Sequence, residues 1–246
     1  MANRKKNRHY KRGYPVAVLI GFEEKRAILW QIFSRVVKSN VTVELGGKDK
    51  KDLYNFHEST VNALRPLLKE GTRSIVVTAP MKTSYGRNFL DHVRKHHPWL
   101  VREYGANTAV FGELVGSAGQ LHEVSDLVKT EEFRKALSKI TSEDADRIVD
   151  TLEKRLNELD SSTILYSLKE MEELVNKQLG RGNLKPEFIV LTDRYLANTQ
   201  EKNRVHRFLQ ISKNKHIKTR IVNVETKAGV RLDQLGGLVC FTELEQ

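Results

Sequence analysis

The stretch VELGGKDKKDLYNFHESTVNALRPLLKEGTRSIVVTAPM, residues 43–81, decides the fold of the first half of the chain. It begins as an alternating strand and continues into a polar loop, GGKDKK, at residues 46–51. Leu53, Phe56 and Leu64 then recur at roughly helical spacing, and Gly71 ends that helix. SIVVTAP has the continuous apolar character of a buried strand. The stretch therefore predicts a strand, loop, helix and strand of an α/β domain.

The flanking sequence extends this pattern in both directions. Upstream, YPVAVLIGF and RAILWQIF flank a polar tetrad at residues 23–26 and predict a hairpin. Downstream, a helix over about residues 85–97 and the strand NTAVFGELV follow. From about residue 121 helices dominate. Thr141 is interpreted as the N-cap of a helix that carries a long apolar stripe. Strands and helices alternate from there to the end, which predicts helices on both faces of a second sheet.

We therefore predict an α/β protein with three parts. These are a basic N-terminal arm at residues 1–14, a first domain at 15–127 and a second domain at 128–246. A hydrophobic fraction of 39% is enough for packed cores, and 30% charged residues suit a solvated surface. The single cysteine, Cys240, excludes an internal disulfide and a cysteine metal site. With no apolar run of membrane-spanning length and no signal-peptide pattern, we expect a cytoplasmic protein and no membrane partner.

Positive charge is concentrated at the start of a chain whose formal net charge is +11. The first twelve residues contain no acid and carry Arg4, Lys5, Lys6, Arg8, Lys11 and Arg12. Further basic positions are Lys48, Lys50 and Lys51 in the glycine loop and Arg204 and Arg207 on a predicted helix. A solubilising tail and solvated helix faces also explain such clusters. Their number favours RNA binding, in which phosphate contacts supply most of the affinity.

Motifs for catalysis or cofactor binding are weak in this sequence. No phosphate-binding glycine motif and no nucleophile elbow occurs, so we expect neither an enzyme nor a cofactor. His92, His96 and His97 invite a metal site, but no carboxylate follows at a convincing spacing. Cations near the end of a helix explain these residues without a metal. We therefore predict no metal site.

Gly119 and Gln120, within LVGSAGQLHEV, admit two interpretations. A glutamine beside a glycine at the tip of a loop could position a water at the ester of peptidyl-tRNA. Small residues between an apolar strand and a helix are equally typical of a simple turn. The residues alone leave both interpretations open, with Gln120 as a candidate catalytic residue.

Three segments resemble the superfamily of Pelota and the archaeal–eukaryotic class I release factors. Residues 43–81 are similar to the central domain's strand, loop, long helix and strand. TILYSLKEMEELV, residues 163–175, is similar to the stretch before a characteristic strand, here FIVLTD at 188–193. TKAGVRLDQLGGLVCFTEL, residues 226–244, resembles the family's ending of turn, short helix, glycine and last strand. Their order and spacing carry the resemblance, which covers about residues 15–244.

The resemblance implies an RNase H-like central domain and a C-terminal α/β/α sandwich similar to kink-turn-binding ribosomal proteins. It also implies the ribosome as partner, through rRNA and also tRNA, together with a translational GTPase or a recycling ATPase. We expect the family's N-terminal domain to be missing, with the basic arm in its place. Ribosome rescue, recycling and protection are all consistent with such a protein.

The resemblance also bears on Gln120. In release factors a Gly-Gly-Gln loop lies between an early strand of the central domain and its long helix. The matching segment here, residues 46–51, has two glycines and no glutamine. We therefore predict that Gly119 and Gln120 form a turn, and that the protein is a non-catalytic ribosome-associated factor. The alternatives are a peptidyl-tRNA hydrolase of ribosome quality control, and a binding module for small structured RNA that uses residues 128–246 alone.

Overall fold

The computed structural model describes residues 14–34, 36–47, 49–102, 108–157, 164–176 and 184–244. The strands of its first sheet are β1 (Pro15–Phe22), β2 (Arg26–Phe33), β3 (Val37–Glu44), β4 (Ser74–Ala79) and β5 (Val110–Val115). They lie in the order β3-β2-β1-β4-β5. β1, β2 and β3 form an antiparallel meander, and β4 and β5 run parallel to β1. The predicted hairpin of β1 and β2 is thereby confirmed.

Helices cover both faces of this sheet. They are α1 (Lys50–Lys69), α2 (Tyr85–His96), α3 (Pro98–Val101), α4 (Leu121–Leu127) and α5 (Glu131–Asn157). On one face, Leu64 of α1 and Phe89 of α2 pack with Ile20 of β1. On the other face, Val124 of α4 packs with Trp30 of β2. Burial of apolar strand residues on both faces explains why β1 and β4 are apolar along nearly their whole length.

A second sheet follows in the second half of the chain. Its strands are β6 (Ile164–Leu165), β7 (Leu184–Thr192), β8 (Lys218–Val222) and β9 (Leu238–Leu244), in the order β6-β9-β7-β8. Its helices are α6 (Leu168–Val175), α7 (Asp193–Asn198), α8 (Lys202–Asn214) and α9 (Lys227–Gln234). Ala228 and Leu232 of α9 pack on one face, and Met171 of α6 with Phe208 of α8 on the other. The predicted layering of helices on both faces is confirmed.

Helix α5 contributes to both cores. Phe133 and Ile140 in its first half pack against the first sheet, and Ile148 and Leu152 in its second half pack against the second. The interpretation of Thr141 as an N-cap is wrong, because the helix begins ten residues earlier. The Thr141 hydroxyl instead donates to the Leu137 carbonyl at 2.8 Å, a bond that satisfies a threonine inside a helix. The domain boundary at 127/128 stays a prediction.

A buried ion pair near the middle of α5 joins this helix to the second sheet. Asp144, 8% exposed, lies 3.2 Å from the guanidinium of Arg220 on β8. Burial lowers the pKa of Arg220 to about 10, while the charge of Asp144 opposes that shift. Nearby, Gly71 has a φ of 103°, and a side chain there would lie 3.0 Å from the Thr219 carbonyl oxygen. The turn between α1 and β4 therefore rests closely against β8.

Candidate functional site

The glycine loop predicted at residues 46–51 ends earlier in the structure, because α1 already begins at Lys50 and residues 45–49 alone join β3 to that helix. The Asp49 side chain caps that helix by accepting from the Asp52 amide at 2.6 Å. A side chain on Gly47 would lie 1.8 Å from the Asp52 carboxylate, so a glycine fits closely there. Lys50 and Lys51 are exposed on the first turn of the helix, and Lys48 lies outside the described residues. The two described cations therefore lie on α1 and not in the loop, beside the Asp49 cap.

The segment that contains Gln120 is fixed to the first sheet. The Trp30 indole donates to the Ala118 carbonyl at 2.8 Å, and the Thr78 hydroxyl donates to the Gly116 carbonyl at 2.8 Å. The Glu123 carboxylate accepts from the amides of Gly119 and Gln120 at 2.8 and 2.9 Å. Gln120 is therefore the exposed N-cap residue of α4. This is the geometry of a strand-to-helix turn, with both ends bonded to the fold.

Both glycine segments lie beside the hairpin turn between β1 and β2. The Leu45 amide donates to the Lys25 carbonyl at 2.7 Å. At the other segment, a side chain on Gly119 would lie 1.5 Å from the Glu23 carboxylate. The turn predicted at Gly119 and Gln120 lies at the start of α4, after the last strand of the first sheet. The structure brings them to the same end of the sheet as the glycine loop.

Helix α8 carries two of the predicted RNA-binding arginines in different environments. The Arg204 guanidinium makes several bonds to both carboxylate oxygens of Glu172, the shortest at 2.7 Å, and one to Glu201 at 2.8 Å. These two partners raise the pKa of Arg204 above its ordinary value. Arg207, one turn further along the helix, is exposed. Arg204 is thus already engaged by carboxylates, whereas Arg207 faces solvent. The six basic residues of the arm lie outside the described residues.

A cluster that the sequence analysis missed lies between α1 and α2. His92 Nε2 lies 3.0 Å and His97 Nε2 2.7 Å from Glu58 Oε1. His92 and His97 are 8% and 7% exposed. Residue spacing does not reveal a carboxylate for these histidines, because Glu58 lies on a different helix, 34 residues before His92. The only available signal was the position of Glu58 on the predicted helix that packs against them.

The environment of this cluster shifts three pKa values. Burial lowers the pKa of His57, which packs beside His92, to about 4, and the charge of His92 acts in the same direction. Burial also lowers the pKa of His92, although its bond to Glu58 opposes this. Burial alone would raise the pKa of Glu58, but bonds from His97 and His92 outweigh it and lower the pKa. The lowered pKa of Glu58 keeps its carboxylate ionised near neutral pH.

The protein is thus an α/β protein with two helix-covered sheets, and one long helix, α5, packs against both. Over 93% of its length, the chain is similar to archaeal Pelota from a model of the ribosome-bound protein with ABCE1, with 14% identity and a TM-score of 0.52. It is also similar to S. cerevisiae Dom34, described as a translation termination-like factor in RNA quality control, with 18% identity, a TM-score of 0.49 and 98% of the chain covered. The predicted resemblance to Pelota is confirmed at the level of the fold.

The chain spans a little under two thirds of those proteins, with 62% of the archaeal Pelota chain and 66% of the Dom34 chain covered. No protein-family model and no curated protein sequence matches it. Among the described residues, no helix combines the length and apolar character that crossing a bilayer requires.

Proposed function

We propose that this protein is a cytoplasmic, non-catalytic translation factor of the Pelota type that binds the ribosome. The observation that supports the proposal is the structural similarity to archaeal Pelota from the ribosome-bound model, over 93% of the chain with a TM-score of 0.52. The strand order β3-β2-β1-β4-β5 suits the RNase H-like domain that the resemblance implies, and the second sheet would correspond to the kink-turn-type sandwich. Ribosome rescue, recycling and protection are the roles that such a factor serves.

RNA contact is assigned to charges near the glycine loop and in the arm. Lys50 and Lys51 are exposed on the first turn of α1, so an RNA phosphate beside that turn would meet two cations, while Asp49 already caps the helix itself. The arm adds six cations within twelve residues. Arg207 adds a further exposed cation, whereas Arg204 contributes less because Glu172 and Glu201 already bind it. The arm and the loop are therefore the principal RNA contacts in this proposal.

The geometry of both glycine segments supports a non-catalytic role. Hydrolysis of peptidyl-tRNA by a glutamine requires that residue at the tip of a loop that reaches the ester. Gln120 instead begins α4 within a turn held by Trp30 and Glu123. The loop before α1 has no glutamine and closes within five residues. Neither segment projects a glutamine on an extended loop.

A protein partner completes the proposal. Dom34 is described as interacting with Hbs1, and the archaeal Pelota was described together with ABCE1. We expect this chain to bind a translational GTPase or a recycling ATPase through its second α/β unit, in the presence of the ribosome and its rRNA or tRNA.

Co-sedimentation with purified ribosomes and subunits tests this function. The full chain is compared, across about 50 to 300 mM salt, with a version that starts at Tyr14 and with the variant Lys50→Ala/Lys51→Ala. Each lost phosphate contact lowers the salt slope of log affinity by about 0.9, so the double variant should lose up to about 2. The matched control Lys139→Ala/Lys154→Ala removes equal charge from exposed positions of α5 and should retain full binding.

Two outcomes would overturn the proposal. The first is absence of binding to every ribosomal particle by a folded full-length chain. The second is hydrolysis of peptidyl-tRNA by the full-length protein that disappears in Gln120→Ala, which would establish the hydrolase instead. Equal losses in the test and control lysine variants would show non-specific charge attraction and would remove the loop from the RNA interface.

A further inference from the structure

Three side chains that can each ligate a metal converge between α1 and α2. One carboxylate oxygen of Glu58 faces Nε2 of both His92 and His97, and the potential ligand atoms of the three residues lie within 4.8 Å of one another. We propose that Glu58, His92 and His97 form a binding site for a divalent transition metal, with Zn²⁺ as the preferred ion. This site is independent of the proposed ribosome binding.

The local backbone brings the two histidines together. Residues five apart on a continuous helix lie about 140° apart around its axis and face different neighbours. Here α2 ends at His96, and His97 leaves the helical conformation with φ −128° and ψ 52°. Pro98 then starts α3, and a proline suits a helix start because it lacks an amide proton. The break directs His97 to the same carboxylate that His92 reaches from within the helix.

The surroundings hold these rings in place. Tyr54 packs edge-on against His92 with ring centroids 5.0 Å apart, and His57 packs against the same ring at 5.1 Å. Trp99 packs edge-on against His97 at 6.1 Å. A metal site requires ligands whose orientation is fixed before the ion arrives, and packing of this kind provides it.

The donor set selects the class of metal. Two imidazole nitrogens and one carboxylate oxygen suit Zn²⁺, Co²⁺ or Ni²⁺, whereas Mg²⁺ and Ca²⁺ prefer oxygen ligands throughout. Zinc bonds of about 2.0–2.2 Å place tetrahedral ligands about 3.3–3.5 Å apart, so these three groups need to move by only about an ångström. The Glu58 side chain is 27% exposed, which leaves a solvent-facing position for a water as fourth ligand.

Calorimetric titration of the full-length, tag-free, metal-stripped protein with ZnCl₂ tests the site. We expect one zinc per chain with micromolar or tighter affinity, and the visible absorption of tetrahedral Co²⁺ when cobalt replaces zinc. Zinc at a hundredfold excess over Kd should raise Tm by roughly 5 to 10 °C. Each of the variants Glu58→Gln, His92→Asn and His97→Asn should weaken zinc binding by about 10-fold or more.

Controls separate this site from surface histidines and from misfolding. His122→Asn and His206→Asn remove exposed histidines away from the site and should bind zinc like the unaltered protein. Circular dichroism without zinc establishes that each variant is folded. If His92→Asn does not fold, Glu58→Gln decides, because glutamine retains an oxygen that accepts hydrogen bonds but loses the ligand charge.

Three results would overturn the proposal. The first is absence of saturable zinc binding together with an unchanged Tm. The second is zinc binding by folded Glu58→Gln and His97→Asn that equals that of the unaltered protein. The third is an equal loss in His122→Asn or His206→Asn. Any of these would leave Glu58 as a carboxylate that only bridges two histidines.

Discussion

The Asp144–Arg220 pair and the Glu58–His92–His97 cluster both join elements that are far apart in the sequence, but they satisfy their charges differently. Asp144 and Arg220 have side chains that are each 11% exposed, and the two opposite charges face each other 3.2 Å apart. In the cluster, one carboxylate oxygen of Glu58 contacts an imidazole nitrogen of each of two histidines, and the Glu58 side chain is 27% exposed. The Asp144 carboxylate thus faces an oppositely charged guanidinium. In the Glu58–His92–His97 cluster, three potential metal-ligand atoms instead lie around one point.

This difference separates a structural contact from a candidate binding site. A guanidinium and a carboxylate already complete each other, so no further ion fits between them. Imidazole nitrogens and a carboxylate that meet at one side of a helix pair can exchange their hydrogen bonds for a shared metal. Burial of ionisable groups alone therefore does not indicate a binding site. Several potential ligand atoms that converge on one point, as in the cluster, do indicate one.

The largest expected effect comes from breaking the buried pair. Asp144→Ala leaves the Arg220 charge buried without its partner and should lower the free energy of unfolding by about 3–5 kcal/mol. Urea denaturation measures this change. Asp150→Ala, at an exposed position of the same helix, is the control and should change stability by less than about 0.5 kcal/mol. A cost below about 1 kcal/mol for Asp144→Ala would show that water reaches Arg220 and that the pair is not a buried one.

An intermediate effect is expected at the cluster in the metal-free protein. Glu58→Ala removes the acceptor of two buried imidazoles and should lower the free energy of unfolding by about 1–3 kcal/mol, measured with a chelator present. A double-mutant cycle with His97→Ala should give a coupling of about 0.5–3 kcal/mol. Additive costs in the two single variants would contradict the contact between Glu58 and His97.

The smallest effect on stability is expected at the surface ion pairs of Arg204, a side chain that is more exposed than those of either group above. Arg204 is bound by Glu172 and Glu201 at the surface, where solvent screens the charges. Arg204→Ala should therefore change stability less than either variant above and should leave ribosome co-sedimentation nearly unchanged. Arg207→Ala removes an exposed cation of the same helix and should weaken co-sedimentation at low salt. If Arg204→Ala lost more ribosome binding than Arg207→Ala, Arg204 and not Arg207 would be the RNA contact on this helix.

Local signals in the sequence predicted most of the secondary structure. The apolar runs predicted the strands of both sheets, because alternation and continuous burial leave direct traces in residue order. The start of α5 was missed. Thr141 resembles a cap, and only the packing of Phe133 against the first sheet shows that the helix begins earlier. A threonine can cap a helix or bond within one, so its identity does not determine which occurs.

The sequence by itself determined the alternation of strands and helices, the basic arm, the missing glutamine in the loop before α1 and the resemblance to Pelota. Each of these can be recognised from short segments and their order along the chain. Only the tertiary structure decided that Arg204 is engaged, that Gln120 lies beside the β1–β2 turn and that Glu58 meets His92 and His97. These contacts join residues on different elements, and their distances follow from helix packing and chain breaks that residue spacing does not encode.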